Sequence, residues 1–147
     1  MDWSGLFAGL NAAALVGWIV LLAAPRAWHL LGVVPRVAVP GAIAVVYCAL
    51  MGAHVSGAGG GFGSIDEVRR LFMSDPVLVA GWSHYLAFDL LIGAMLADRL
   101  DRAGVTRWLQ VPVLLTTFLF GPAGWLLGMA TEAGARRAAA RLARVGR

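Results

Sequence analysis

Asp89 is the residue whose position first demands a chemical reason. It stands about twelve residues into an apolar stretch, Val77 to Ala97. A carboxylate at the centre of a membrane helix costs on the order of 2.5–3.5 kcal/mol to insert. At that depth it must be protonated, paired or hydrated, and a neutral carboxylic acid can act as hydrogen-bond donor or general acid. His84 and Tyr85 lie on the same stretch. Tyr85 precedes Asp89 by four residues and so shares its helical face, whereas the five-residue step from His84 turns the helix by ~140°. His84 and Asp89 can therefore flank one cavity from different angles without touching. Asp89, His84 and Tyr85 are the candidate catalytic residues, an acid and a base held near one bound molecule. The plainer alternative is that they make hydrogen bonds across a helix bundle.

Metal and cofactor chemistry find little support. His54, His84 and Asp89 are admissible ligands, but they come from two stretches at different depths and form no H-x-x-E-H or H-x-x-x-H pair. Cys48 is the only cysteine, so no intrachain disulfide and no cysteine cluster can form. Gly57 to Gly63 lacks the ordered lysine and serine or threonine of a phosphate cradle, and no dinucleotide, serine-elbow or haem motif occurs. Neither a metal nor a cofactor is expected.

The elements that must position these groups are those of a membrane protein. Of 147 residues, 60% are hydrophobic and 14% charged, with a mean hydropathy of +0.77. Charged residues alone average roughly 25% in soluble domains, which argues against a water-soluble enzyme. All 12 basic residues are arginines, set against 8 acids, and they fall between and after the apolar blocks. That is membrane topology rather than a nucleic-acid surface, for which a base-reading domain is missing. Met1-Asp2-Trp3-Ser4 has no basic n-region, so the first stretch is expected to stay as an anchor rather than be cleaved.

Four stretches, Gly5 to Ala24, Val37 to Val55, Val77 to Ala97 and Trp108 to Ala130, each approach the ~20 residues that cross a bilayer. They predict an all-α fold, an antiparallel bundle of four transmembrane helices. Residues 1–130 would form one transmembrane domain and 131–147 a basic tail. Between the second and third helices, Ser64-Ile65-Asp66-Glu67 matches the S-x-x-E capping box. A short helix should follow, with Ile65, Val68 and Phe72 on one face, lying in the membrane interface. The glycines before it read as a flexible linker or, more sharply, as a lid over a membrane cavity. Asp75-Pro76 reads as N-cap and first residue of helix three. With both termini on one side, seven arginines (Arg69, Arg70, Arg136, Arg137, Arg141, Arg144, Arg147) face five (Arg26, Arg36, Arg99, Arg102, Arg107). That small excess favours both termini in the cytoplasm.

Depth matching adds further residues. Counted from the terminus-bearing side His84 is ~10 Å deep at 1.5 Å per residue, and Asn11 and Pro122 come out close to it. His54 lies above, at the end of helix two. Phe120-Gly121-Pro122-Ala123-Gly124 predicts a kinked or interrupted helix whose freed carbonyls face protein or cavity, with Thr116 and Thr117 able to absorb part of the deficit. Asn11, His54, Trp82, Thr117 and Pro122 are the candidate cavity residues. The stripes Gly5, Gly9, Ala13, Gly17 and Gly121, Gly124, Gly128 allow close helix approach and need no chemistry.

Trp82-Ser83-His84-Tyr85-Leu86-Ala87-Phe88-Asp89-Leu90 resembles the W-x-H-x-L-A-x-D-L core of the abscisic-acid-deficient-four family, the plant neoxanthin-synthase proteins and their bacterial relatives. Supporting matches are Ala24-Pro25-Arg26, Tyr47, Leu71-Phe72-Met73-Ser74 and Phe120-Gly121-Pro122-Ala123-Gly124. The resemblance covers most of the chain. It implies a role near the conversion of violaxanthin to neoxanthin, an isomerisation that opens an epoxide and creates an allene without net redox change. Such a reaction needs an acid at the epoxide oxygen and a base at a polyene C–H. Asp89 would serve as acid and His84 as base, or the reverse, with the carotenoid or isoprenoid arriving from the lipid. Alternatives are a non-enzymatic pigment- or lipid-binding accessory subunit and, with less behind it, a proton relay through Asp89. The arginine- and alanine-rich composition resembles that of a bacterial protein from a GC-rich genome, which points to the inner (plasma) membrane. Expected partners are membrane lipids and either a second copy of the chain or a partner membrane enzyme.

Overall fold

The computed structural model describes residues 1–25 and 28–145, and Arg26 and Arg147 lie outside the described residues. Among the described residues every element is helical. Helix α1 spans Trp3–Ala23, its first turn capped by the Asp2 carboxylate, which accepts from the Gly5 amide at 3.0 Å. A short α2, His29–Val33, passes through a π-helical segment, Val34–Ala38, into α3, Val39–His54. After a 3-10 turn come α4, Ile65–Leu71, then α5, Asp75–Arg102, and α6, Arg107–Val145. Among the described residues four helical runs are long and apolar enough to cross a membrane: Trp3–Ala23, Leu31–Gly57, Asp75–Arg102 and Arg107–Arg144.

Helix α5 is the centre of the molecule. Its faces are buried by α1, α3 and α6 at once, and Ala80, Leu90, Leu96, Ala97 and Leu100 are fully enclosed. Small residues permit the approach: a Cβ on Gly17 would run into Leu90, and one on Gly93 into the Trp18 indole. The stripe of small residues on α1 thus meets α5 at Gly17, as close helix packing requires. α5 begins at Asp75 with Ser74 in the capping position, one residue earlier than the Asp75-Pro76 pattern suggested, and no side chain caps it. At its far end Gly104, with φ 73°, turns the chain into α6. The Arg107 guanidinium then donates to the carbonyls of Leu22 and of Ala24, the residue that follows α1, at 2.6 and 2.7 Å. It covers carbonyls that no amide of α1 can reach. Arg36 holds Asp98 through both carboxylate oxygens and ties the start of α3 to the end of α5.

The fourth apolar run departs from the expected antiparallel bundle. α6 is not one straight rod: its helical angles fail at Phe120 (φ −140°, ψ 35°) and Gly121 (φ 13°, ψ −81°). Residues 107–119 run antiparallel to α5, with Gln110 bonded to Asp101 at 2.6 Å and the Tyr85 hydroxyl reaching the Leu119 carbonyl at 3.5 Å. Residues 122–145 then run back parallel to it. Gly121 meets Asp89, Gly128 meets Leu96, and Glu132 takes a 2.7 Å ion pair from Arg99. A straight α6 would carry Glu132 roughly 37 Å from Arg107, far from the Arg99 end of α5. The reversal also brings Gly124 against the backbone of Thr117. Residues 122–145 therefore lead to the end of the bundle opposite Trp3, and the basic tail continues the helix beyond Glu132.

The glycine segment is not slack. The Gly61 amide bonds the Glu67 carbonyl at 3.3 Å, the Gly63 amide bonds Glu67 Oε2 at 3.0 Å, and Ser64 Oγ accepts from the Glu67 amide at 3.3 Å. The expected capping box is present, with its return bond shifted to Gly63, and the glycines wrap α4. Leu71 is buried while Ile65, Phe72 and Met73 are exposed.

Gly124→Ala should lower stability by about 1–3 kcal/mol, because its methyl would overlap the Thr117 backbone. Gly134→Ala, with nothing near the new atom, should instead raise it by up to ~1 kcal/mol through helix propensity. Chemical denaturation of both variants in detergent micelles checks the opposite signs.

Candidate functional site

The stretch of α5 from Asp75 to Asp89 presents one face at three- and four-residue steps: Asp75, Leu78, Val79, Trp82, Tyr85, Leu86 and Asp89. α1 answers with Trp3, Phe7, Asn11 and Trp18, again on one side. Where these stripes meet the first half of α6, a half-open cavity of about 160 Å³ is lined by Asn11, Trp18, Trp82, Tyr85, Leu86, Asp89, Phe118 and Leu119. Its walls are aromatic. Trp18 and Phe118 meet edge-on at 5.4 Å and Trp82 lies 5.3 Å from Tyr85.

Asp89 is 8% exposed, and its Oδ2 is buried without a hydrogen-bond partner. Its other oxygen faces Gly121, where a Cβ would collide with it. The break in α6 thus lies directly against the carboxyl. Tyr85, one turn back, places its hydroxyl beside Asp89 and toward the Leu119 carbonyl. Asn11 accepts from the Trp82 indole N–H at 3.1 Å and donates to the Phe7 carbonyl at 2.7 Å. That pair fixes the angle of the Trp82 ring. Since an orphaned buried carboxyl oxygen costs stability, its retention in a cavity of this kind marks a functional candidate.

Of the residues singled out in the sequence, Asn11, Trp82, Tyr85 and Asp89 come together. His84 does not join them: it projects from the other side of α5, stacked on Phe88 at 4.5 Å and beside Tyr47 at 5.3 Å. The ~140° helical offset is the physical reason. His54 caps the Leu50 carbonyl at the far end of α3 and packs on Trp3. Thr117 is buried, but its hydroxyl donates to the Val113 carbonyl at 2.8 Å within its own helix. Pro122 is exposed just past the break. Trp18, Phe118 and Gly121 belong to the site and were not anticipated as such. Trp18 lies seven residues from Asn11, on its face, and that spacing was the available signal. Among the described residues no group of three His, Cys, Asp or Glu side chains could hold a metal.

The arrangement that decides the relationship is the W-x-H-x-L-A-x-D-L stretch lining the cavity opposite the broken Phe120-Gly121-Pro122 turn. The chain belongs to the ABA DEFICIENT 4-like family. The match runs over residues 5–127, which includes every cavity residue and stops short of the arginine tail. Members of this family are neoxanthin-synthase-like, and the four apolar helical runs make this one a membrane protein. Neither curated proteins nor solved structures give a match to the chain.

Asp89→Asn should leave the folded structure intact and shift stability by less than ~1 kcal/mol, because one carboxyl oxygen has no partner to lose. Thermal unfolding in micelles reads this. A loss of several kcal/mol would assign Asp89 to structural hydrogen bonding instead.

Proposed function

We propose that the cavity isomerises a carotenoid or related isoprenoid lipid, with Asp89 as the acid–base group. The observation that carries this reading is Asp89 itself, which lines an aromatic-walled space and has one buried carboxyl oxygen without a hydrogen-bond partner. Among the described residues Asp89 has no cationic partner, so it enters the reaction as the neutral acid. It gives its proton to the epoxide oxygen: an O–H bond forms, the adjacent C–O bond breaks, and an allylic cation remains. Trp18, Trp82 and Phe118 line the space such a cation would occupy, and aromatic faces stabilise positive charge. The Asp89 carboxylate then takes the proton of the neighbouring polyene C–H, and that electron pair becomes the new π bond. Asp89 ends neutral, and no oxidant or reductant is consumed. The Tyr85 hydroxyl beside it supports the transient carboxylate. A single carboxyl acting twice replaces the Asp89–His84 pair, since His84 faces away.

The same reading assigns an orientation. With α6 reversed, Arg36, Arg99, Arg102, Arg107, Arg136, Arg137, Arg141 and Arg144 share one end of the bundle, and Arg69 and Arg70 the other. The arginine excess puts the first end in the cytoplasm of a plasma membrane, the chain's C-terminus with it, and the N-terminus outside. α4, with Ile65, Phe72 and Met73 exposed, would then rest in the outer interface.

In carotenoid-producing cells expressing the protein, pigment analysis should show a product that Asp89→Asn lowers at least ~100-fold, the usual scale of general acid–base catalysis. His84→Ala should retain it. Pigment that copurifies unchanged would favour the binding subunit over the enzyme. Tags at the two termini should be accessible from opposite faces of sealed vesicles, and protection of both on the same face would refute the orientation.

A further inference from the structure

The returning half of α6 outlasts the bundle it packs on. Gly121 touches Asp89, near the middle of α5, and Glu132 lies ~16 Å further along the helix. That is just past half of a hydrocarbon core about 30 Å thick. Ala135 still packs against the core, whereas from Arg136 to Arg144 every side chain is exposed although the helix continues. One side of this helix carries Gly121, Gly128, Glu132 and Ala135, turned to α5 or to the core around it. The opposite side carries Leu126, Ala130, Arg137, Arg141 and Arg144, at three-, four- and seven-residue steps. That outward side changes chemistry at the hydrocarbon edge, with exposed apolar residues before Glu132 and arginines after it. Glu132 holds Arg136 at 2.8 Å. Among the described residues Arg137, Arg141 and Arg144 have no ion-pair or hydrogen-bond partner, and residues 133–147 contain no Asp or Glu.

We propose that Arg137, Arg141 and Arg144 form a docking face for the anionic phospholipid headgroups of the leaflet beside the bundle. Position and charge both point to that occupant. Because the three arginines continue the lipid-facing side of α6, they look out over the surrounding headgroups rather than over the bundle. Arg144 stands no more than ~18 Å past Glu132 along the helix, and long arginine side chains bend their charged tips back toward a membrane surface. A guanidinium meets a phosphodiester with two parallel N–H···O bonds, a geometry a zwitterionic headgroup offers without the net charge. The rest of the segment is mainly alanine, which holds a helix without packing. No aromatic residue follows Trp125, so nothing here stacks on a nucleic-acid base. The face lies beyond the family match, which ends at residue 127, and it does not depend on the Asp89 chemistry.

The test places a bimane fluorophore on Ala140→Cys, in a Cys48→Ala background, in the full-length protein in phosphatidylcholine vesicles. Trace phosphatidylglycerol or phosphatidylcholine carrying a quenching nitroxide near its headgroup then reports which lipid gathers beside the segment. At low salt the phosphatidylglycerol form should quench at least ~fivefold more strongly, the preference that one arginine near an anionic surface supplies. The difference should collapse at ~1 M NaCl, where the Debye length falls to ~3 Å. It should also collapse when Arg137→Gln, Arg141→Gln and Arg144→Gln are combined, with thermal unfolding in micelles unchanged because these side chains are exposed and unpaired. Equal quenching by the two lipids at low salt would overturn the docking face, as would a preference that survives in the triple variant. Inorganic phosphate that abolishes the preference where chloride of equal ionic strength does not would assign the arginines to a soluble anion and overturn the lipid as occupant.

Discussion

Gly121 rests against the Asp89 carboxyl with no room for a side chain between them, and much of the molecule follows from that contact. At membrane depth a backbone can leave helical geometry only where protein or a lined cavity receives its freed groups. α6 breaks at Phe120 and Gly121, where Asp89 and Tyr85 of α5 lie opposite. The break thus lies against Asp89 and Tyr85, two of the residues that line the cavity. Gly124 and Gly128 then let the returning half of α6 lie close against Thr117 and Leu96. The reversal ends in the Arg99–Glu132–Arg136 group, where Glu132 is buried and accepts from both arginines.

This geometry separates two kinds of charge. Most of the described arginines collect at one end, where Arg107 covers the last carbonyls of α1 and Arg36 grips Asp98. They fasten helix ends. Asp89 stands alone at the depth where none of the described cations reaches it. A membrane protein retains such a group only at a cost in stability, which the acid–base role proposed for it would offset.

Much of the local structure was legible in the sequence because it rests on neighbouring residues. The Ser64–Glu67 capping box, the four apolar runs and the interruption at Gly121-Pro122 are set by contacts within a few positions. Helical phase also placed Tyr85 with Asp89 and turned His84 away, although depth alone had brought His84 into the candidate set. The role of the glycines before α4 was not legible, since it depends on where the Glu67 side chain folds back to meet Gly63.

Membrane residence, helical class, family membership and the anomalous acid were determined by the sequence by itself, since hydropathy, short-range caps and one motif suffice for each. Only the tertiary structure decided the direction of α6 and the company of Asp89. Phe120-Gly121-Pro122 announces a break, but the angle of a break is open until distant surfaces meet. Here Asp89, Thr117 and Leu96 closing on Gly121, Gly124 and Gly128 turn a fourth crossing into a hairpin. That turn moves the arginine tail to the far end of the bundle, and it sets Gly121 against Asp89, whose Oδ2 is left without a hydrogen-bond partner.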